Sequence, residues 1–289
     1  DEAGGAQPFL SSDGKHILNY NGELYNFRQL GDTLRSAGGK LRSKSDTEVL
    51  LYWLARSGHA GLADLNGMFA FAYWNDNQKT LLLARDRLGI KPLYYTKVDG
   101  RLIFASEIKA LLVWRLDPRT NYRAVGEFLS FQNVLSEHTF FRDIYKLQPG
   151  RWLRWSPGDV RQGTFWDVKF GNAFNGNFAD AVSQYRQVLD QAVTRHVIAD
   201  VPVGAYLSSG IDSSSVTAIA ATKLARPMRT FTGAFEDAPY YDERQGARLV
   251  SDALQAEQND ILIRPRDFLE NFEKVVWHLD EPTLGTGAL

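Results

Sequence analysis

Residues 201–214 read Val201-Pro202-Val203-Gly204-Ala205-Tyr206-Leu207-Ser208-Ser209-Gly210-Ile211-Asp212-Ser213-Ser214. An apolar run gives way to hydroxyl residues and a glycine. Behind them Val216, Ile219, Ala220 and Leu224 recur on one helical face. The pattern is strand, small-residue loop, helix. Such a turn gathers backbone N–H groups and the positive end of a helix dipole at one point, where a phosphate or pyrophosphate can sit. The serine hydroxyls add donors, and Asp212 opens the helix. Ser, Gly and Asp are equally what any strand-to-helix connection uses for turns and caps. Loop composition alone therefore leaves a phosphate site and a plain turn both open. The Walker pattern G-x-x-x-x-G-K-[ST] is absent, which argues against an ordinary P-loop nucleotidase.

Working outward, the 289 residues suffice for two domains. A hydrophobic fraction of 44% and an aromatic fraction of 12% indicate well-packed cores. The net charge of −1 gives no electrostatic case for nucleic acid or an anionic membrane. No apolar run is long enough to span a bilayer, and the start, Asp1-Glu2-Ala3-Gly4-Gly5, is no signal peptide. With no Cys there is neither a disulfide nor a thiolate metal site. The five His are scattered without ligand spacing, against zinc. The expectation is a soluble, cytoplasmic protein.

The first half reads mostly as β structure. Residues 65–74 and 80–84 form strands around the turn Asn75-Asp76-Asn77, and Asp99-Gly100 joins strands 92–98 and 101–105 as a two-residue hairpin. Helices are expected over about 26–37, ended by Gly38-Gly39, and from Ser45-Asp46-Thr47-Glu48, a capping-box pattern, to Gly58. Residues 156–177 are rich in Gly, Asn, Asp and Pro and read as a linker. Beyond it come a helix (178–197), the strand, loop and helix quoted above, a strand (229–235), a helix (242–254), a short strand (261–263) and a helix (266–278). That alternation implies a parallel sheet covered on both faces.

Motifs spread over nearly the whole chain carry a resemblance. They are Asn21-Gly22-Glu23-Leu24-Tyr25-Asn26, Ser45-Asp46-Thr47-Glu48, the run 85–95 starting Arg85-Asp86-Arg87, Phe104-Ala105-Ser106-Glu107-Ile108-Lys109, and Leu207 to Ser214. In this order they resemble the glutamine-hydrolysing asparagine synthetases. The resemblance implies two domains. The first, over 1–160, is an α+β N-terminal-nucleophile glutaminase domain (a glutamine amidotransferase of type 2), a β sandwich with flanking helices. The second, over 178–289, is an α/β parallel-sheet ATP pyrophosphatase domain.

By the same resemblance, Asn21 and Gly22 supply the oxyanion site, and Asn21, Gly22, Glu23 and Asp46 hold L-glutamine, with Asp46 taking its α-amino group. A side-chain amide and a backbone N–H can stabilise a tetrahedral oxyanion. Taken singly, Asn-Gly is also an ordinary turn pair, and an Asp in a first helical turn is favoured by the dipole alone. Leu207, Ser208, Ser209, Gly210, Asp212, Ser213, Ser214 and Gly233 are implied to bind ATP, with Asp212 helping to place Mg²⁺. Ser209 stands where the family has the first loop glycine, and Gly233 where it has an aliphatic residue against adenine. Asp280 and Glu281, in a D-E-P segment, fall near the substrate cleft. Asp242 and Glu243 read as helix N-terminal charge.

The family's nucleophile is a Cys directly after the initiator Met, and these residues contain none. Gly5-Ala6-Gln7-Pro8-Phe9 matches a segment well inside the glutaminase domain, and the family's later S-G-x-G-x-D-E loop is not reached. The sequence therefore reads as an internal fragment, inactive on its own. The implied reaction is ATP-dependent amidation of L-aspartate through β-aspartyl-AMP, in an assembly that is often a homodimer. A β-lactam synthetase-like ligase, which lacks the Cys, and a catalytically degenerate homologue are the alternatives.

Overall fold

The computed structural model describes residues 4–114, 117–171, 174–225, 227–235 and 239–282. They form two compact units. Residues up to Lys169 make the first, together with the described residues from Val276 onward; Phe170–Val275 make the second. The expected second domain ran on to 289, whereas its last described residues group with the first unit.

The first unit is antiparallel. Strands β1 (Phe9–Leu10), β2 (His16–Leu24), β3 (Gly67–Asn75), β4 (Thr80–Arg85), β8 (Arg151–Ser156) and β9 (Asp159–Thr164) form a six-stranded sheet in that order. Strands β5 (Tyr94–Val98), β6 (Arg101–Ala105) and β7 (Ile144–Lys146) form a second sheet, ordered β6-β5-β7. Period-two alternation decides what each face covers. Phe69, Phe71 and Tyr73 of β3 pack with Leu18, Tyr20 and Leu24 of β2 against helices α1 (Phe27–Ser36) and α2 (Asp46–Ser57). The intervening Ala70 and Ala72 face the other way, with Leu83, Leu93, Tyr95, Leu147 and Leu153. Helix α3 (Ile108–Leu112) buries Ile108 and Leu111 on Ile144. Leu50 and Leu51 of α2 are fully buried, each contributing about 2 kcal/mol by removal from water. This helix–sheet–sheet–helix layering is the expected sandwich.

Local chemistry explains the turns. Asp99 and Gly100 both take positive φ, 48° and 75°, as a primed hairpin turn requires. Asp86, 1% exposed, accepts N–H bonds from Phe69, Leu88, Ile90 and Lys91 and so builds the loop after β4. Arg85 donates to the carbonyls of Lys91, Leu147 and Gly89 beside it. The expected capping box at Ser45 is only half formed. Ser45 Oγ accepts from Thr47 N–H, but Glu48 turns away to the N–H groups of Arg42 and Ser43 and the Ser43 hydroxyl. Helix α4 (Tyr122–Phe131) was not expected. Strand β9 lies inside the expected linker, because its polar outer residues pair fully with β8.

In the second unit β10 (Gly204–Tyr206), β11 (Arg229–Phe235) and β12 (Glu257–Ile263) form a parallel sheet with β11 central. Helices α5 (Phe178–His196), α6 (Ile211–Lys223), α7 (Arg244–Ala253) and the part of α8 (Pro265–Leu279) up to Val275 alternate with them. Val193, Ala220 and Met228 form its buried centre. Helix α5 starts with a full capping box, Asn177 with Asp180. No helix among the described residues is long and apolar enough to cross a membrane.

Candidate functional site

In the first unit the site residues gather along one edge of β2. Odd-numbered residues there point their backbone groups at β3, as in the bond from Tyr25 N–H to Asn66 O, 2.8 Å. Even-numbered residues point the other way. Leu18 pairs with Phe9 of β1. Tyr20 is clamped by the Gln7 amide, which donates to its carbonyl at 2.7 Å and accepts its N–H at 2.5 Å. Leu24 donates to Asp46 Oδ2 at 2.9 Å. Gly22 lies between these anchors. Its register partner, Phe69, spends its N–H and C=O on Asp86 instead. Antiparallel alternation therefore turns the N–H of Gly22 outward to the same edge as Gln7 and Asp46. Asn21-Gly22 is thus mid-strand and not a turn.

Gly22 is required on steric grounds as well. A Cβ there would lie 2.2 Å from Met68 O and 2.7 Å from Phe69 Cα. Asn21 and Asn19 lie on the strand face opposite the helices. They line a cavity of about 240 Å³ with Ala70, Ala72, Phe104 and Ser106. Glu23 follows on that same face, exposed. Asp46, half-buried at the first position of α2, also accepts the Tyr20 hydroxyl on Oδ2 at 3.0 Å. Burial and the Asp46 charge raise the Tyr20 hydroxyl far above its ordinary pKa, so it stays a donor. Both bonds fall on Oδ2, and Oδ1 accepts from none of the described residues.

In the second unit the loop after β10 is built as a cradle. Leu207 is buried, donating to Phe231 O at 2.9 Å and accepting from Thr232 Oγ1 at 2.9 Å. The hydroxyls of Ser208 and Ser213 meet at 2.7 Å, and Gly210 N–H donates to Ser208 Oγ at 3.2 Å. The first helical bond of α6 runs from Ser214 N–H to Gly210 O, 3.1 Å. The N–H groups of Ile211, Asp212 and Ser213 therefore precede the helical ladder. No side chain caps this helix. The buried Ser214 Oγ has no partner. Asp212 is exposed, its carboxylate bonded to no described residue. Gly233 is exposed too, and a Cβ there would meet only Ile263 Cδ1, at 3.7 Å.

Other acidic residues are already engaged. Asp242 is held down to about 2 by its bonds from Arg244. Asp280, at φ 60°, accepts from Ile108 N–H at 2.7 Å and lies 3.0 Å from Lys109 Nζ, so it caps α3 within the first unit. Glu281 beside it is half-buried, and burial raises its carboxyl above the usual range despite Lys146 and Arg85 nearby. Gln7, Tyr20 and Thr232 support the two candidate sites without having been singled out, whereas Glu243, read as helix N-terminal charge, also accepts the Ser209 hydroxyl. Only Gln7 carried a signal, as part of the quoted G-x-Q-P match.

Residues 1–166 match the family model of a glutamine amidotransferase domain, and residues 184–289 that of asparagine synthase. The chain belongs to the glutamine-hydrolysing asparagine synthetase family. Asparagine synthetase [glutamine-hydrolyzing] 1 of Bacillus subtilis is 33% identical over 296 residues, covering 100% of this chain and 45% of that relative. Amidase chyE of Penicillium rubens is also 33% identical, over 96% of this chain and 43% of its own length. The chain thus spans under half the length of these relatives. Among solved structures, the B. subtilis glutamine phosphoribosylpyrophosphate amidotransferase covers 88% of this chain and 48% of its own, at 18% identity and a TM-score of 0.38. The two candidate sites fall within the matched residues 1–166 and 184–289, respectively.

Proposed function

We propose that this chain carries the glutamine-binding edge and the nucleotide loop of a glutamine-dependent amide ligase whose acceptor is L-aspartate. The observation that supports it most is the outward N–H of Gly22, flanked on one strand edge by the Gln7 clamp and the Asp46 carboxylate. An L-glutamine there would place its α-ammonium on Asp46. Its carboxamide oxygen would receive the Gly22 N–H, with the Asn21 amide as second donor, the pair an acyl-transfer oxyanion needs. The attacking thiolate is not among these residues. They bind and polarise the amide.

At the α6 loop an aspartate carboxylate oxygen attacks the α-phosphorus of ATP. The bond between that phosphorus and its bridging oxygen breaks, and pyrophosphate leaves. The N–H groups of Ile211, Asp212 and Ser213 and the serine hydroxyls receive its charge. Ammonia then adds to the acyl carbon, a proton is lost, and AMP departs. Magnesium would supply charge neutralisation on the phosphates. Asp212 offers it one oxygen ligand, which suits an ion bound mainly through nucleotide phosphates and water. Among the described residues no cluster of three His, Cys, Asp or Glu could hold a metal ion.

The equal identity to a fungal amidase keeps a second acceptor in view, a carboxylate other than aspartate. Pyrophosphate exchange into ATP by the full-length protein, with aspartate and with other carboxylates, tests the reading. Exchange that requires aspartate supports it. Exchange with another acid alone moves the acceptor, and no exchange with any acid overturns the ligase.

A further inference from the structure

Gly246 lies inside α7, at a φ that is not positive. A glycine within a helix is less favourable than alanine by about 1 kcal/mol, so its presence there needs a cause. The cause is residue 209. A Cβ on Gly246 would come within 2.5 Å of Ser209 Cβ and 3.6 Å of Ser209 Cα. The near atom is a Cβ, which cannot swing aside without moving the loop backbone. Ser209 also reaches the start of the same helix, its hydroxyl donating to Glu243 Oε1 at 3.2 Å. Its side chain is thus directed at α7, leaving the adjoining N–H groups of the α6 turn uncovered.

We infer that Ser209 and Gly246 are a matched pair that positions the nucleotide loop, Gly246 making room for the side chain that replaces the family's loop glycine. Ser209 is a positioning residue. It acts on the nucleotide through the height of its own loop above α7. The inference rests on the ATP reading of that loop and deepens it.

The test is a double-mutant cycle in the full-length protein, read by the KM for MgATP in pyrophosphate exchange and by urea midpoint. Gly246→Ala should raise the KM about tenfold through overpacking against Ser209. In the Ser209→Gly background the same substitution should change it by under about threefold, because the clashing Cβ is gone. Glutaminase activity reports folding of the first unit. Equal effects of Gly246→Ala in both backgrounds overturn the pair. If Gly246→Ala does not fold, recovery of folding in the double variant supports it and no recovery overturns it. A wild type with no exchange sinks the ATP reading alone. The urea cycle then still decides the pair: coupled midpoints support it and additive ones overturn it.

Discussion

The Tyr20 hydroxyl donates to Oδ2 of Asp46 at 3.0 Å, joining a buried strand residue to the first residue of a helix. The bond fixes the carboxylate and leaves its other oxygen for a ligand. Tyr20→Phe removes one hydrogen bond, worth about 1 kcal/mol. The expected result is about a fivefold rise in the KM for glutamine, with ammonia-dependent amide formation unchanged. An equal loss with both nitrogen sources would detach this tyrosine from glutamine binding.

Asp46→Asn keeps the acceptor for Leu24 N–H but loses the charge that would pair with an α-ammonium. Glutamine-dependent turnover should fall at least about a hundredfold in kcat/KM, as expected when a charge-assisted contact is left uncompensated. Steady-state kinetics with glutamine and with ammonia separate the two routes.

Gly22→Ala tests the close approach of β2 to β3. A methyl 2.2 Å from Met68 O forces the strands apart, and the expected destabilisation is about 3 kcal/mol. The urea midpoint measures it. A loss below about 0.5 kcal/mol, the scatter of neutral substitutions, would contradict the described register.

Asp212→Ala should abolish aspartate-dependent pyrophosphate exchange and leave glutamine hydrolysis intact. Normal exchange in this variant would remove Asp212 from the nucleotide site.

Glu48 gives a pH prediction. Burial alone would raise its carboxyl, but the N–H groups of Arg42 and Ser43 and the Ser43 hydroxyl hold it below the usual range. A carboxyl lowered on folding stabilises the protein above its unfolded pKa, and that contribution is lost as pH falls through the folded value. Glu48→Gln should therefore be least stable relative to wild type near neutral pH. The gap should close in acid, as followed by urea midpoints between about pH 7 and 3.

Much of the architecture was legible because local pattern and tertiary need agree. The Asp99-Gly100 hairpin and strands such as β11 carry their own signals, turn chemistry in one case and β-branched and aromatic residues in the other. Helix α4 was missed. Tyr122, Leu129 and Phe131 stay exposed, and only Ala124 is fully buried. Strand β9 reads as linker because Asp159, Arg161 and Gln162 carry no apolar alternation, and its strand state is supplied by β8. The Ser45 capping box failed because Glu48 found three better donors upstream.

The sequence by itself determined the two-part organisation, the strand–loop–helix at residues 204–223, and the residue types of both sites, since these depend on neighbours a few positions apart. Only the tertiary structure decided what those residues face. Gly22 presents its N–H outward because Phe69, from a strand more than forty residues away, is already bonded to Asp86. Asp280 is spent on α3, 171 positions from Lys109, and Ser209 is tolerated because Gly246 leaves it space. Such partners are set by packing between distant segments, and hydrogen-bond direction and steric room have no local signature in the chain.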